Sequence, residues 1–421
     1  MSIEDSQALR LAEQLVLVSL ADRESATRSE LAGLTSLPKT TVVAASNSLI
    51  ARGLLIEEPD DSGDRRAGRP STRLRLSLGD RSVALLELGR EGTVLSIADC
   101  MANVGGRQHV SVGRGTPFNE FVDAVRAGLK SISDRDIDGI VVSIPAAFQA
   151  GVGPRFTSHV SADLEAKYPQ FKPPAEWFTG DPSEVLAEEF GCPVITENDA
   201  NLAALGEARF GAGVGASSMV HLSLRAGIGA GLTIDGKLFR GASGVAGELA
   251  HITIDRDGRL CACGNRGCFI TSIPNGPLLA DQVSQAYERP VSMSDVMTLA
   301  AAGDIGVTRV LQDYGRSAAT ALAGFVGFFE PQMIVVDAAL GIASAPVVAG
   351  VAERLALQVQ PMVWDGITVV AGELDMHSQL MGAVALLRDR TMGDLARSVW
   401  RGGDRWSVPA LTDAKPVSAV S

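Results

Sequence analysis

The chain has 421 residues, 46% of them hydrophobic, so it can bury a substantial core and fill about three domains of ordinary size. Its 37 basic and 49 acidic residues give a net charge of −12, which excludes a uniformly basic surface and leaves any DNA contact to a local patch. Composition excludes collagen, coiled-coil and disordered chains, and no apolar run reaches the ~20 residues of a membrane span. The start carries Glu4 and Asp5 rather than the basic residues of a signal peptide, so we expect a cytoplasmic protein.

The first 79 residues predict a winged helix-turn-helix domain. Apolar residues recur at helical spacing between Leu9 and Leu20, and two further helical segments follow at 28–34 and 37–52. Two runs of alternating residues at 54–58 and 72–78 then flank a loop rich in Asp, Gly and Arg, as in a β-hairpin. Three helices followed by a hairpin are the elements of this DNA-binding domain.

The third predicted helix has the features of a recognition helix. Val42 is placed to fill the core against the second helix, and Leu31, Leu34 and Leu49 extend the apolar face. A second set of side chains projects outward, where it can reach base edges or phosphates in the major groove: Lys39, Thr40, Thr41 and Asn47. The alternative is an ordinary three-helix bundle with a solvated polar face.

The predicted wing favours DNA binding over that alternative. Positions 62–81 hold six arginines against two aspartates, in an otherwise acidic chain. The arginines are Arg65, Arg66, Arg69, Arg73, Arg75 and Arg81. The segment Gly-Arg-Pro at 68–70 is compact and extended, so Arg69 can enter a narrow A·T-rich minor groove. We assign DNA contacts to Arg65, Arg66, Arg69 and Arg73.

From residue 80 onward the chain alternates strands and helices, with Gly-rich turns after several strands, which is an α/β pattern. Strands are predicted at 83–88, 93–99, 139–144, 193–196, 219–224, 230–234 and 333–337. Helices are predicted at 120–130, 199–210, 315–329 and 379–390. Residues 391–421 form a C-terminal extension, and 402–421 lack apolar periodicity, so we expect part of it to be disordered.

Three of the five cysteines fall within eight residues and predict a metal site. Cys261, Cys263 and Cys268 with His251 supply the ligands of a closed tetrahedral zinc site, which has no open position for water and is therefore structural. Gly264 and Gly267 allow the tight turns that bring the thiolates together. The alternative is three buried free cysteines. Cys100 and Cys192 stand alone and are interpreted as core residues.

Several further motifs lie in the α/β part of the chain. They are Glu-Asn-Asp-Ala-Asn at 197–201, Gly-Ile-Gly-Ala-Gly at 227–231, Asp-Gly-Lys-Leu at 235–238, Gly-Ala-Ser-Gly at 241–244 and Gly-Glu-Leu-Ala-His at 247–251. With the cysteine cluster, they resemble the ROK family of repressors, open reading frames and sugar kinases, in its repressor branch, over about 9–390. The resemblance implies two actin-like, RNase H-like lobes, at 80–200 and 201–390, around a sugar-type cleft. The N-terminal helix-turn-helix resembles the repressors, since the kinases lack that domain.

The resemblance also implies roles for individual residues. Asn198 and Asp199 match the family's sugar-binding Asn-Asp, whose Asp is the base in the kinases. Glu248 and His251 match a Glu and a His that also bond the sugar. Because its two ring nitrogens are distinct, His251 can bind zinc with one and the effector with the other.

Departures from the family pattern argue against kinase activity. The first phosphate loop, Asp-x-Gly-Gly-Thr in the kinases, carries Arg90 and Glu91 here, and the second has Ala226 in place of a Thr. The sugar-binding Glu expected two residues after the last cysteine is Ile270, and the stretch 155–178 diverges and holds extra prolines.

We therefore predict a non-enzymatic transcriptional regulator, a repressor of carbohydrate-related genes with a sugar-like effector. The alternatives are an ATP-dependent sugar kinase with an appended DNA-binding domain, and a regulator whose cleft is non-functional. One winged helix contacts few base pairs, so we expect a homodimer or homotetramer on a double-stranded operator.

Overall fold

The structure is a computed structural model that describes residues 3–21, 23, 25–59, 72–77, 81–89, 92–155, 174–224, 227–261, 263–272, 276–337 and 344–401. The described residues divide into two compact units. One contains those of Met1–Asp80 and those from Leu387 onward, and the other is Arg81–Leu386. Among the described helices, none has the length and apolar character needed to cross a membrane.

The N-terminal unit contains the helices and hairpin expected of a winged helix-turn-helix. Its elements are α1 (Ile3–Ala21), β1 (Ala26–Thr27), α2 (Arg28–Thr35), α3 (Lys39–Ala51), β2 (Leu55–Pro59) and β3 (Thr72–Leu76). The strand β3 pairs antiparallel with both β2 and the short β1. The sequence did not predict β1. The loop between β2 and β3, with Arg65, Arg66 and Arg69, lies outside the described residues.

Local sequence sets the turn between α2 and α3. Thr27 caps α2 through a capping box, in which its hydroxyl accepts from the N–H of Glu30 and the Glu30 carboxylate accepts from the N–H of Thr27. Ser36 ends α2 in the left-handed region at φ 55°. Val42 is fully buried as predicted, whereas Leu34 is 46% exposed and does not join the apolar face.

The first half of the α/β unit is built on a five-stranded sheet. Its elements are β4 (Ser82–Leu88), β5 (Thr93–Asp99), β6 (Val104–Val110), α4 (Phe118–Ile132), β7 (Ile137–Ile144), β8 (Phe148–Gln149), β9 (Gly153–Pro154), α5 (Ser183–Phe190), β10 (Val194–Asn198) and α6 (Asp199–Phe210). The sheet order is β10-β7-β4-β5-β6, and β8 and β9 form a separate small hairpin. The sequence missed β6, an exposed edge strand whose two glycines weaken the strand pattern.

The second half repeats this plan. Its elements are β11 (Ser218–Leu224), β12 (Ile228–Ile234), β13 (Lys237–Leu238), α7 (Phe269–Ser272), α8 (Gly276–Ala286), α9 (Met293–Ala301), α10 (Ile305–Phe329), β14 (Met333–Val336), α11 (Ser344–Gln358), α12 (Pro361–Trp364), β15 (Thr368–Ala371) and α13 (Ser378–Arg401). The sheet order is β13-β12-β11-β14-β15. Relative to the predicted segments, α10 begins earlier, at Ile305, and α13 continues to Arg401 rather than ending at residue 390.

Both sheets have the same topology. In each, three antiparallel strands form a meander, and two further strands add in parallel on the other side of the first strand. This duplication confirms the two-lobed α/β fold that the family resemblance implied.

The helices α6 and α13 pack backbone to backbone inside this unit. A Cβ on Gly206 would lie 2.0 Å from the carbonyl oxygen of Ser378, and one on Gly382 would lie 1.9 Å from that of Leu202. No other residue type fits at these two positions, so they fix the two helices in one register.

Candidate functional site

A cleft of about 260 Å³ lies between the carboxyl end of β10 and the start of α6 on one side and β12 with the segment 247–251 on the other. The four residues expected to bind the effector, Asn198, Asp199, Glu248 and His251, all line it. Ile270 lines the cleft as well, so the residue that replaces the family's Glu faces the site. These five residues span 72 positions of the chain, from Asn198 to Ile270, and the structure brings them together.

Asn198 and Asp199 are held at the junction of β10 and α6. Asn198 is the N-cap of α6, where its Oδ1 accepts from the N–H of Asn201 at 3.0 Å and its Nδ2 donates to the carbonyl of Ala146 at 3.0 Å. Asp199 follows in the first turn, and its Oδ1 accepts from the N–H of Ala200 at 2.8 Å. The positive end of the helix dipole stabilises a carboxylate at this position.

A buried carboxylate behind these two residues shapes the junction. Glu197 accepts from the N–H of Asn198 and from Nδ2 of Asn201, both at 2.9 Å, and its second oxygen accepts from Nε of Arg240 at 2.8 Å. Sequence reasoning placed Glu197 in a motif but gave it no role. The available signal was an acidic residue directly before a helix N-cap at the end of a strand.

Glu248 is the N-cap of the 3₁₀ turn Leu249–His251, and His251 is the last residue of that turn. Burial raises the pKa of Glu248, and the nearby His251 partly opposes that shift. His251 is half-buried and directs Nδ1 toward the cysteine cluster, 3.5 Å from Sγ of Cys261.

The four predicted metal ligands form a compact cluster. Their ligand atoms all lie within 4.8 Å of one another, and Sγ of Cys263 is 3.5 Å from Sγ of Cys268. Zinc bond lengths in a tetrahedron require about 3.5 Å between sulfur and nitrogen and about 3.8 Å between sulfurs, so the donor set fits a metal. Gly264 and Gly267 adopt positive φ, at 93° and 59°, as the tight turns require.

Protons compete with a metal for the sulfur atoms of the cluster. Burial, with the adjacent thiols of Cys263 and Cys261, raises the pKa of Cys268 to about 12. Metal binding must displace this proton because the ligand is the thiolate. Outside the cluster, burial and the charge of Asp138 raise the pKa of Cys192 to about 11, as expected of an unreactive core thiol.

Arg155 is a cleft residue that sequence reasoning missed. It follows the hairpin of β8 and β9, and its backbone N–H donates to the carbonyl of Ala147 at 2.7 Å. Its guanidinium donates to Oε1 of Gln149 at 3.1 Å, and the side chain lines the cleft. No motif marked it, because it begins the stretch that diverges from the family.

The predicted DNA-contacting residues of α3 lie mostly on its exposed face. Lys39, Thr40 and Asn47 are exposed, and Thr41 is half-buried. Asn47 is engaged within the domain, since its Oδ1 accepts from Arg28 at 3.2 Å.

Arg73, which the sequence assigns to a DNA contact, also makes contacts within the domain. Its Nε donates to the hydroxyl of Ser25 at 2.8 Å, a second nitrogen donates to the Ser25 carbonyl at 3.1 Å, and Glu30 lies 3.3 Å away. These contacts hold β3 against the start of α2. They leave less of the guanidinium available to DNA than the sequence suggested.

Most of the α/β part of the chain matches a known protein family. The ROK family model matches residues 86–390, which is more than half of the chain. The chain belongs to the ROK family. This confirms the resemblance drawn from the motifs and the fold that it implied.

Two curated ROK relatives differ in how much of the chain they match. The xylose repressor of Bacillus spizizenii is 26% identical over 401 residues, covering 92% of this chain and 97% of the repressor. The glucokinase of Thermotoga maritima is 28% identical over 249 residues, covering 55% of this chain and 78% of the kinase. Similarity over nearly the whole chain is therefore to a transcriptional repressor.

A solved structure shows the same fold. The crystal structure of a ROK family transcriptional regulator, described as a homologue of the E. coli MLC protein, aligns with a TM-score of 0.72 at 20% identity. The alignment covers 94% of this chain and 100% of that chain.

Proposed function

We propose that this ROK protein is a DNA-binding transcriptional repressor whose α/β unit senses a monosaccharide-type effector. The observation that carries the proposal is the presence in one chain of an exposed polar recognition helix and of a cleft lined by Asn198, Asp199, Glu248 and His251. A kinase needs only the second of these features.

The start of α3 is suited to DNA. Lys39 and Thr40 are exposed in its first turn, and the N-cap Pro38 supplies no side-chain hydrogen bond to the uncapped N–H groups. Helix N-termini bind phosphate through such groups and through the dipole. We assign Lys39 to the DNA backbone and Thr40 to the major groove, with Arg69 of the wing in the minor groove. A homodimer or homotetramer presents two such helices to a symmetric operator.

In the cleft, Asp199 and Glu248 accept hydrogen bonds from effector hydroxyls. The side-chain amide of Asn198 uses one N–H to bond Ala146 and one oxygen lone pair to bond Asn201. A second N–H and a second lone pair therefore remain for the effector. His251 offers its Nε2 when Nδ1 faces the metal.

The metal is zinc, held by Cys261, Cys263, Cys268 and Nδ1 of His251. Three sulfurs and one imidazole are ligands that zinc prefers, and a full tetrahedral shell makes it structural. When bound, the zinc fixes the orientation of the His251 ring.

The position of Asp337 supports the absence of phosphoryl transfer. Asp337 follows β14, is fully buried, and lies 3.3 Å from the hydroxyl of Ser223. The strands β11 and β14 are parallel neighbours, and phosphates in α/β folds bind at the carboxyl ends of such strands. An acidic residue at this position, like Glu91 in the first loop, is not a residue type that binds phosphate.

Selection of bound DNA from a random pool by the full-length protein tests the proposal. We expect one recovered operator, released by a member of a monosaccharide panel. Lys39→Ala should weaken binding to all sequences with a smaller salt dependence. Arg69→Ala should relax specificity at one A·T-rich position, at a cost of about 1–3 kcal/mol.

Failure to enrich any sequence contradicts the DNA-binding half of the proposal. An enriched operator that no monosaccharide releases contradicts the sensing half and favours a regulator with a non-functional cleft.

A further inference from the structure

We infer that the effector carries an anionic group, a carboxylate or a phosphate, which Arg155 binds in the cleft. This inference rests on the proposed function and names the chemical class of its ligand. Its central observation is that Arg155 lines a cleft whose other polar residues are suited to bind hydroxyl groups.

The charge of Arg155 is not compensated within the described part of the chain. No described carboxylate forms an ion pair with it, and its only described side-chain partner is the neutral amide of Gln149. Arg240, which also lies near the β10–α6 junction, is by contrast neutralised by Glu197 at 2.8 Å. The cleft also contains the carboxylates of Asp199 and Glu248, but Arg155 forms no ion pair with either, so its guanidinium is open to an anionic ligand.

The guanidinium is oriented as well as charged. The hydrogen bond to Gln149 uses one terminal nitrogen, and the backbone of Arg155 is tied to Ala147. The other terminal nitrogen and Nε remain for a bidentate contact, which matches the two oxygens of a carboxylate or phosphate.

Ile270 points to the same class of ligand. It lines the cleft but offers no hydrogen bond, so a neutral sugar that relies on a polar partner there leaves a hydroxyl unpaired. A ligand anchored by its anionic group at Arg155 can instead place the apolar face of its ring against Ile270.

The test uses the full-length zinc-loaded protein and matched probes. The probes are D-glucose, D-glucuronate, D-glucose 6-phosphate, D-galactose, D-galacturonate, D-xylose, D-xylonate, N-acetyl-D-glucosamine and its 6-phosphate, with inorganic phosphate as the ion control. Melting temperature and calorimetric Kd are measured for wild type, Arg155→Gln, Arg155→Lys and the control Arg126→Gln. Arg126 lies on α4, pairs with Glu189 and does not line the cleft.

We expect an acid or a phosphate to bind wild type and Arg126→Gln equally and its neutral parent to bind far more weakly. Arg155→Gln should lose about tenfold or more in affinity for the anionic probe. The affinity of Arg155→Lys should lie between those of wild type and Arg155→Gln, because lysine keeps the charge but cannot make the bidentate contact of a guanidinium. Whether the uronic acid or the phosphate binds identifies the anionic group.

Four results overturn the inference. A neutral sugar that binds wild type as tightly as its acid and phosphate refutes it and leaves the proposed function standing. An anionic probe that binds Arg155→Gln as tightly as wild type, or inorganic phosphate that reproduces its whole effect, refutes it too. If no probe binds the wild-type protein, the sensing function and this inference fail together.

Discussion

Arg28 joins the recognition helix to the strands of the wing. Its guanidinium donates to Asn47 of α3 at 3.2 Å, to Glu57 of β2 at 2.8 Å and to Thr72 of β3 at 3.3 Å. In the proposed function these three elements have separate roles in reading DNA. The side chain therefore sets their relative orientation.

Replacing Arg28 with Met should damage both stability and operator binding. Met keeps the aliphatic stem but leaves Asn47, Glu57 and Thr72 without their common donor, at a cost of about 1–2 kcal/mol after allowing for the partial exposure of the ion pair. Chemical denaturation and operator affinity measure the two effects. The exposed Arg23→Met is the matched control, and an Arg28→Met protein that behaves like it contradicts this role.

Asp199→Asn should separate sensing from DNA binding. The amide keeps the shape of the first turn of α6 but replaces one acceptor with a donor, so the effector loses a hydrogen bond that distinguishes the liganded state. Operator affinity without effector should stay at the wild-type value, and the effector concentration needed for release should rise about ten- to hundredfold. A normal effector response in fluorescence anisotropy would refute the assignment of Asp199.

Single residues were predictable from sequence where a motif marked them. Asn198, Asp199, Glu248 and His251 were placed by the family resemblance, and all four line one cleft. Glu197 lay in a motif that gave it no role, and Arg155 and Arg28 have no such marker. The importance of Arg28 comes from partners distant in sequence. The partners of Arg28 lie 19, 29 and 44 positions away.

At the scale of elements, Glu207 connects α6 to the segment after β15. This fully buried carboxylate accepts from the backbone N–H of Ala212 at 2.9 Å, of Glu373 at 3.1 Å and of Leu374 at 3.0 Å. Backbone donors replace the lysine or arginine that a buried carboxylate usually needs.

Glu207→Gln should therefore be strongly destabilising although it is nearly isosteric. An amide NH₂ would face backbone N–H donors and leave at least one unpaired, at a cost of about 2–3 kcal/mol. Denaturant midpoints measure the loss. The exposed Glu188→Gln on α5 is the control and should change the midpoint little. Equal midpoints for the two variants would contradict the role of Glu207.

The cysteine cluster makes a prediction for the segment 251–268. The purified protein should carry about one zinc per chain, and Cys263→Ser should lose metal and stability, because metal-binding energy is partly folding energy. Elemental analysis and thermal melting measure both. Cys192→Ser, outside the cluster, should keep its metal. Active and undamaged wild-type protein without metal would refute the site.

Local periodicity predicted the central strands and four helical segments of the α/β unit, but it missed other elements, including α11, although that helix has a buried face at Val347, Val351 and Leu355. The helix α6 was predicted with its observed bounds, and the central strands were found to within two residues. The exposed β6 and the four-residue β15 were missed because their contacts, rather than their own residues, make them strands. The first half of α10 was missed, since the predicted helix began only at residue 315.

For the whole molecule, the duplicated sheet topology could not be deduced from periodicity, since strand order depends on long-range pairing. It followed from the family resemblance alone. The chain keeps the architecture of a sugar kinase with Asp337 buried at the carboxyl end of β14.

The complete protein should accordingly fail to phosphorylate sugars. With ATP, magnesium and each neutral monosaccharide of the panel, we expect no sugar phosphate above a no-enzyme background, and no ATP-dependent rise in melting temperature. The physical reason is the sequence of the two phosphate loops, where the carboxylate of Glu91 repels phosphate and Ala226 removes a hydroxyl. Sugar phosphate formed in proportion to protein concentration would restore the kinase alternative.

The glycine contacts between α6 and α13 have a mechanical consequence. Helices separated by side chains can absorb a small displacement through changes of rotamer, but Gly206 and Gly382 leave only rigid main chain between these two. A displacement of α6 that begins at Asp199, in its first turn, should therefore also displace the first turns of α13. The start of the last helix is the place where a spectroscopic label should register whether the cleft is empty or filled.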